Sequence, residues 1–160
     1  MSELRTNRIV PRDGLPSGAD GGGIIQMVQG EVTSFLQTSS SSYVDAGLSA
    51  SITPSSSSSK ILVNMALGVY GGTSDTLRVN AQVLRGSTQV WYTRDLYFRS
   101  GSTFKAVQSA IQFIDSPATT SSTTYKLQVK CESSSGGSTF ELYSDSTNYN
   151  NRMILMEVSA

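Results

Sequence analysis

Histidine is absent from this 160-residue chain, and cysteine occurs once, at position 131. Those two counts remove much of the usual catalytic vocabulary. A Ser-His-Asp or Cys-His apparatus needs an imidazole to carry the proton, and the common zinc sites need His or several Cys ligands. Cys131 alternates in phase with Tyr125, Leu127 and Val129, so it is expected as a small buried core residue. A reactive thiol needs an exposed, electropositive setting, and the adjacent Lys130 points to the opposite strand face. A lone cysteine forms no intrachain disulfide, which fits synthesis in a reducing cytoplasm.

The carboxylates are the next candidates. Glu141 and Asp145 are close in sequence, and a glycosidase needs two such groups facing a sugar. The other carboxylates mostly stand singly in turns or at strand ends, where solvation accounts for them. Asp75, Asp95, Asp115 and Asp145 could feed a calcium site, but no D-x-D-x-D-G loop is present. The glycine-rich stretch 18–23 lacks a following Lys-Ser/Thr and opens a strand, so it is not a phosphate loop. The expectation is a non-enzymatic chain with no catalytic residues, no cofactor and no metal. Trp91, Tyr92, Tyr97 and Phe98 cluster around Arg94 and Arg99. Aromatics with arginine are the chemistry of an interface hot spot or a sugar platform. The competing reading puts half of them in the core and the rest at a strand edge.

The elements that position these residues follow from composition and periodicity. Charged residues make up only 15% and apolar residues 38%, while 29 Ser and 15 Thr fill the difference. Such a chain is polar without being charged, which suits short strands with hydroxyls on their outer faces and Ser/Thr/Gly turns. The formal net charge is zero, so the basic excess that supplies nucleic-acid affinity is missing and no nucleic-acid partner is expected. No run of 18 apolar residues occurs, so no membrane insertion is expected. The opening residues lack the apolar core of a secretory signal.

Residues 1–23 differ from the rest. They carry six charges and are punctuated by Pro11, Gly14, Pro16, Gly18 and Gly21-Gly22-Gly23. Such a stretch cannot fold alone. It reads as an extended docking arm that engages a partner chain through Leu4, Arg5, Arg8, Ile9, Val10, Arg12 and Leu15, or folds back on its own domain. From residue 24 to 160 the pattern is period-two alternation broken by turn clusters. Examples are Ile61, Val63, Met65, Leu67 and Val69 in one strand, and Leu77, Val79, Ala81 and Val83 in the next. Leu96 and Phe98 read as a short separate segment, and Phe104 to Ile114 as the following strand. The fold class is all-β: an antiparallel β-sandwich, jelly-roll-like, of eight or nine strands preceded by the arm.

Four segments carry a resemblance. Gly21-Gly22-Gly23-Ile24-Ile25-Gln26-Met27-Val28-Gln29 is similar to the "GGGIIQV-x-Q" opening of domains in tail-fibre and other virion structural proteins of marine tailed bacteriophages of the cyanophage type. Residues 41–63, from Ser41-Ser42-Tyr43-Val44-Asp45 through Ile52-Thr53-Pro54 to Lys60-Ile61-Leu62-Val63, resemble the same family's "YVD-x-GLS-x-x-ITPSS-x-SSKILV" core. Met153 to Val158 resembles its closing strand, and Leu4 to Pro11 its N-terminal leaders. The resemblance implies a homotrimeric structural protein on the particle surface, made in the host cytoplasm, with no catalytic residues to carry over. Its partners would be its own copies, other virion proteins through residues 1–23, and a host-surface glycan. A tail fibre is the leading form. A capsid decoration protein and a carbohydrate-binding or degrading module are the alternatives.

Overall fold

The computed structural model describes residues 23–32, 34–71, 76–101, 105–134, 139–142 and 151–159. Residues 1–22, and with them the docking residues Leu4, Arg5, Arg8, Ile9, Val10, Arg12 and Leu15, lie outside the described residues. The described residues contain ten strands and no helix: β1 Ile24–Glu31, β2 Leu36–Thr38, β3 Val44–Ile52, β4 Lys60–Gly71, β5 Thr76–Arg85, β6 Thr88–Ser100, β7 Lys105–Asp115, β8 Thr123–Ser134, β9 Phe140–Leu142 and β10 Arg152–Val158.

They form two antiparallel sheets. The first runs β1-β10-β4-β9-β2, with β7 on the other side of β4; the second runs β3-β8-β5-β6. Along β4, residues 60–66 pair with β10 and residues 69–71 with β9. Thus β9 and β10 occupy one lane, and β1 and β2 the lane beside it. Asn151 bridges the break between β9 and β10: its Oδ1 accepts from the Gly68 N–H at 2.6 Å and its carbonyl from the Val32 N–H at 3.1 Å. Counted as eight lanes in chain order, the sheets read first-eighth-third-sixth and second-seventh-fourth-fifth. That is a jelly roll, two Greek keys folded face to face.

The inward positions are the apolar ones of the alternation. Ile61, Val63, Met65, Leu67 and Val69 of β4 meet Leu77, Val79, Ala81 and Val83 of β5, and all are buried. Complete burial of a Leu or Ile side chain stabilises by about 1.5–3 kcal/mol relative to exposure, and this single layer between the sheets holds them together. One open side of the sandwich closes where β1 crosses β3. There Gly30 lies against the Ser49 backbone so closely that a Cβ would sit 1.9 Å from the carbonyl oxygen. The other side closes where Trp91 of β6 stacks on Phe113 of β7, with ring centroids 6.0 Å apart. Between β5 and β6 a two-residue turn, Gly86-Ser87, uses the positive φ of Gly86 (58°), as tight hairpins require.

Two sequence expectations need correction. Leu96 and Phe98 are not a separate segment: β6 runs unbroken from Thr88 to Ser100 and absorbs two register shifts against β5. One falls where Val79 pairs with Tyr97 and Ala81 with Thr93, leaving Asp95 at φ 58° in the bulge. The three-residue strand β2 has too little alternation to be seen in the sequence.

Candidate functional site

The outer face of the second sheet gathers the polar and aromatic side chains. Its two central strands, β8 and β5, carry Lys126, Gln128, Lys130 and Glu132 beside Arg78, Asn80 and Gln82, the alternate positions to the apolar core residues; Asn80 and Gln82 are themselves buried. A chain of hydrogen bonds crosses the sheet. Gln82 Nε2 donates to Gln128 Oε1 at 2.8 Å, Gln128 Nε2 to Asp45 Oδ1, and Lys126 Nζ to Asp45 Oδ2 at 3.2 Å. The Gln128 bond holds the Asp45 carboxyl below the usual range; burial opposes it and Lys126 assists. On the other half, Asn80 Nδ2 donates to Glu132 Oε2 at 2.6 Å, and this bond likewise lowers the Glu132 carboxyl. Asn80 Oδ1 accepts from the Asp95 N–H at 3.3 Å, and Arg78 pairs with Asp95 at 2.8 Å.

Three rings lie among these groups. The Arg78 guanidinium sits 5.1 Å from the Phe98 ring centroid and the Lys130 ammonium 5.2 Å from that of Tyr43. Arg94 Nε donates to the Tyr92 hydroxyl at 3.1 Å. Burial raises the Tyr43 phenol, and Tyr92 and Glu132 add to the shift. Because Asp45 and Glu132 are held as fixed anions, they are poor proton donors near neutrality. The face therefore offers binding chemistry: rings, amides and charges already locked in place. A recess of about 130 Å³ beside it, lined by Asp45, Gly47 and Lys126 among others, is small against the roughly 300–1,000 Å³ of ligand pockets.

Trp91, Tyr92, Tyr97 and Phe98 do not share one surface. Neighbours on a strand point to opposite faces, so each adjacent pair divides. Trp91 is half-buried against Phe113 and Tyr97 is buried, whereas Tyr92 and Phe98 are 43% and 53% exposed. The alternation itself carried the signal that splits them. Arg99 is buried beside Tyr97, apart from the exposed Arg94. Cys131 is buried as expected, with its thiol raised by burial and its Sγ 3.4 Å from the Thr38 carbonyl oxygen. Glu141 is buried and accepts from Gln37 Nε2 at 2.8 Å, while Asp145 lies outside the described residues. Asp115 accepts from Arg85 at 2.7 Å and from the buried Tyr125 hydroxyl at 2.6 Å, fastening β5, β7 and β8 at one end. Among the described residues no group of three His, Cys, Asp or Glu could hold a metal ion.

One polar cluster had no single sequence signal. Glu157 of β10 is fully buried, and its carboxylate receives three hydrogen bonds. They come from Gln26 Nε2 on β1, from the Ser55 N–H at 2.7 Å and from the Ser55 hydroxyl at 2.6 Å. The buried Ser59 hydroxyl lies at the same carboxylate. Burial pushes the Glu157 carboxyl upward, but these donors outweigh it and hold it at about 2, against 4.5 for a free glutamate.

No family model matches the chain, and no curated protein matches it. Among solved structures it is similar to an insecticidal delta-endotoxin of Bacillus thuringiensis, at 21% identity and a TM-score of 0.39. That match covers 78% of this chain and 19% of the toxin. It is also similar to the VP2 protein of infectious bursal disease virus, at 12% identity and a TM-score of 0.47, covering 84% of this chain and 36% of VP2. The chain thus spans well under half the length of either protein.

Proposed function

We propose that this chain is a non-enzymatic virion structural protein, a homotrimeric tail-fibre or tail-associated appendage anchored by residues 1–23 and displayed on the particle surface. The observation that carries this reading is the convergence on Glu157. Of the four segments that resemble phage virion proteins, three meet here: Gln26 comes from residues 21–29, Ser55 from the serine-rich residues 41–63 and Glu157 from residues 153–158. The serine run is therefore more than low complexity: it supplies the donors that let a buried carboxylate exist. The resembling residues behave as one structural unit, which supports reading them together as a family signature.

Two measurements test the proposal. Sedimentation equilibrium of the isolated protein is expected to give three times the 17.1 kDa chain mass; a stable monomer rejects the trimer. Imaging of labelled protein on particles is expected to place it at the tail in tens of copies. Hundreds of copies over the shell would identify the decoration alternative. A second reading, a glycan platform, is favoured by one feature: the exposed Tyr92 and Phe98 rings flank amides and ion pairs already in place on the second sheet. Glycan-array binding that Tyr92→Ala and Phe98→Ala abolish would establish it.

A further inference from the structure

We infer that the outer face of the first sheet is the surface on which one copy of this chain packs against another. This inference rests on the homo-oligomer reading above and names the surface that reading needs.

Strand register places four apolar side chains in one row across that face. Met27 on β1 pairs with Met156 on β10, Met156 with Leu62 on β4, and Leu62 with Ile114 on β7. Met27 is 64% exposed and Ile114 63%; the two between them are half-covered. A register shift between Ile24 and Gln26 leaves Ile24 and Ile25 exposed too, extending the patch at its β1 corner. The adjoining row is Gln29, Ile154, Asn64 and Gln112. Neither row contains an ionisable group. Among the described residues, charges on this face stand beyond them, at Lys60, at the paired Glu31 and Arg152, and at the buried Glu141 of β9.

The charge pattern selects a second copy as the occupant. Where copies of one surface meet close to a symmetry axis, each group faces its own kind or near neighbours. Like charges then repel, whereas apolar side chains pack together and amides, being both donors and acceptors, bond to one another. This face has the self-compatible composition. The second sheet, crossed by ion pairs, does not. The area is also sufficient to matter. Four strands at about 4.8 Å and seven residues at about 3.3 Å give a flat area of roughly 440 Å². It is over half of the ~800 Å² each partner gives to a standard stable interface, before side-chain relief is counted. In a trimer, three copies turning this face to the common axis bring the same two rows together.

The test uses the full-length chain. Met27→Glu with Ile114→Glu places like charges on two already exposed positions. The double variant is expected to keep the wild-type circular dichroism spectrum and to associate at least about a hundredfold more weakly by sedimentation equilibrium. Tyr92→Glu, on the other sheet, is expected to associate as wild type does. Independently of stability, Ile114→Cys treated with a short bis-maleimide is expected to give copy-to-copy cross-links, with Tyr92→Cys giving none. An oligomeric wild type with an undiminished double variant and no Ile114→Cys cross-link overturns the face assignment and leaves the oligomer standing. A wild type that is monomeric at every concentration overturns both.

Discussion

At the scale of single residues, the buried carboxylate of Glu157 sets the most consequential polar cluster among the described residues. A buried glutamate is costly unless its oxygens are filled, and Gln26 and Ser55 fill those of Glu157. The group titrates near 2 in the folded chain and near 4.5 when free. The unfolded chain therefore binds the extra proton between those values, and stability rises with pH across that window. The contribution is fully present above about pH 5 and is lost as pH falls toward 2. Denaturant midpoints measured from pH 7 down to pH 2 are expected to fall mainly below pH 5. Glu157→Gln is expected to flatten that fall and to cost about 1–3 kcal/mol at pH 7, the range for hydrogen bonds to a charged group. A variant as stable as wild type at pH 7, with an unchanged acid limb, would count against the assignment.

At the scale of elements, strands were readable wherever inner positions alternate without interruption, as in β4 and β5, where every residue of the alternating apolar set is buried in the structure. Legibility failed where residues were grouped by nearness in sequence instead of by alternation. In β6 Trp91 and Tyr97 turn inward and Tyr92 and Phe98 outward on both sides of the Asp95 bulge, so the two aromatic pairs read as one patch when only Tyr92 and Phe98 reach solvent. It also failed for contacts between distant strands. The sequence offered Gln26, Ser55 and Glu157 separately, and only the adjacency of β1, β10 and β4 joins them. Gly30 is a similar case. In sequence it marks a pause after the β1 alternation, but in the fold it is the point where two strand backbones touch. Gly30→Ala would set a methyl 1.9 Å from the Ser49 oxygen and 2.8 Å from its carbon, and neither is a flexible side-chain end. The strands must separate there, so a loss of about 1–3 kcal/mol in denaturant unfolding is expected. An unchanged midpoint would show that this edge relaxes freely.

For the whole molecule, the sandwich has two unlike faces and a chain end that enters at a defined place. The Ser159 N–H donates to the Gly23 carbonyl at 3.1 Å, joining the start of β1 to the end of β10. For Leu4, Ile9, Val10 and Leu15 of the preceding stretch we propose attachment to another virion protein. Fixing such a stretch costs about 1–2 kcal/mol per backbone residue, so the partner must return substantial contact, most simply backbone pairing along a strand edge with pockets for those side chains. Arg5, Arg8 and Arg12 would favour acidic neighbours and make the attachment weaken as salt rises. Deleting residues 1–22 is accordingly expected to leave the thermal midpoint and the oligomeric state near those of the full chain while abolishing incorporation into particles. Normal incorporation of the shortened chain would move attachment onto the sandwich surface, and failure of that chain to fold would make residues 1–22 part of the core.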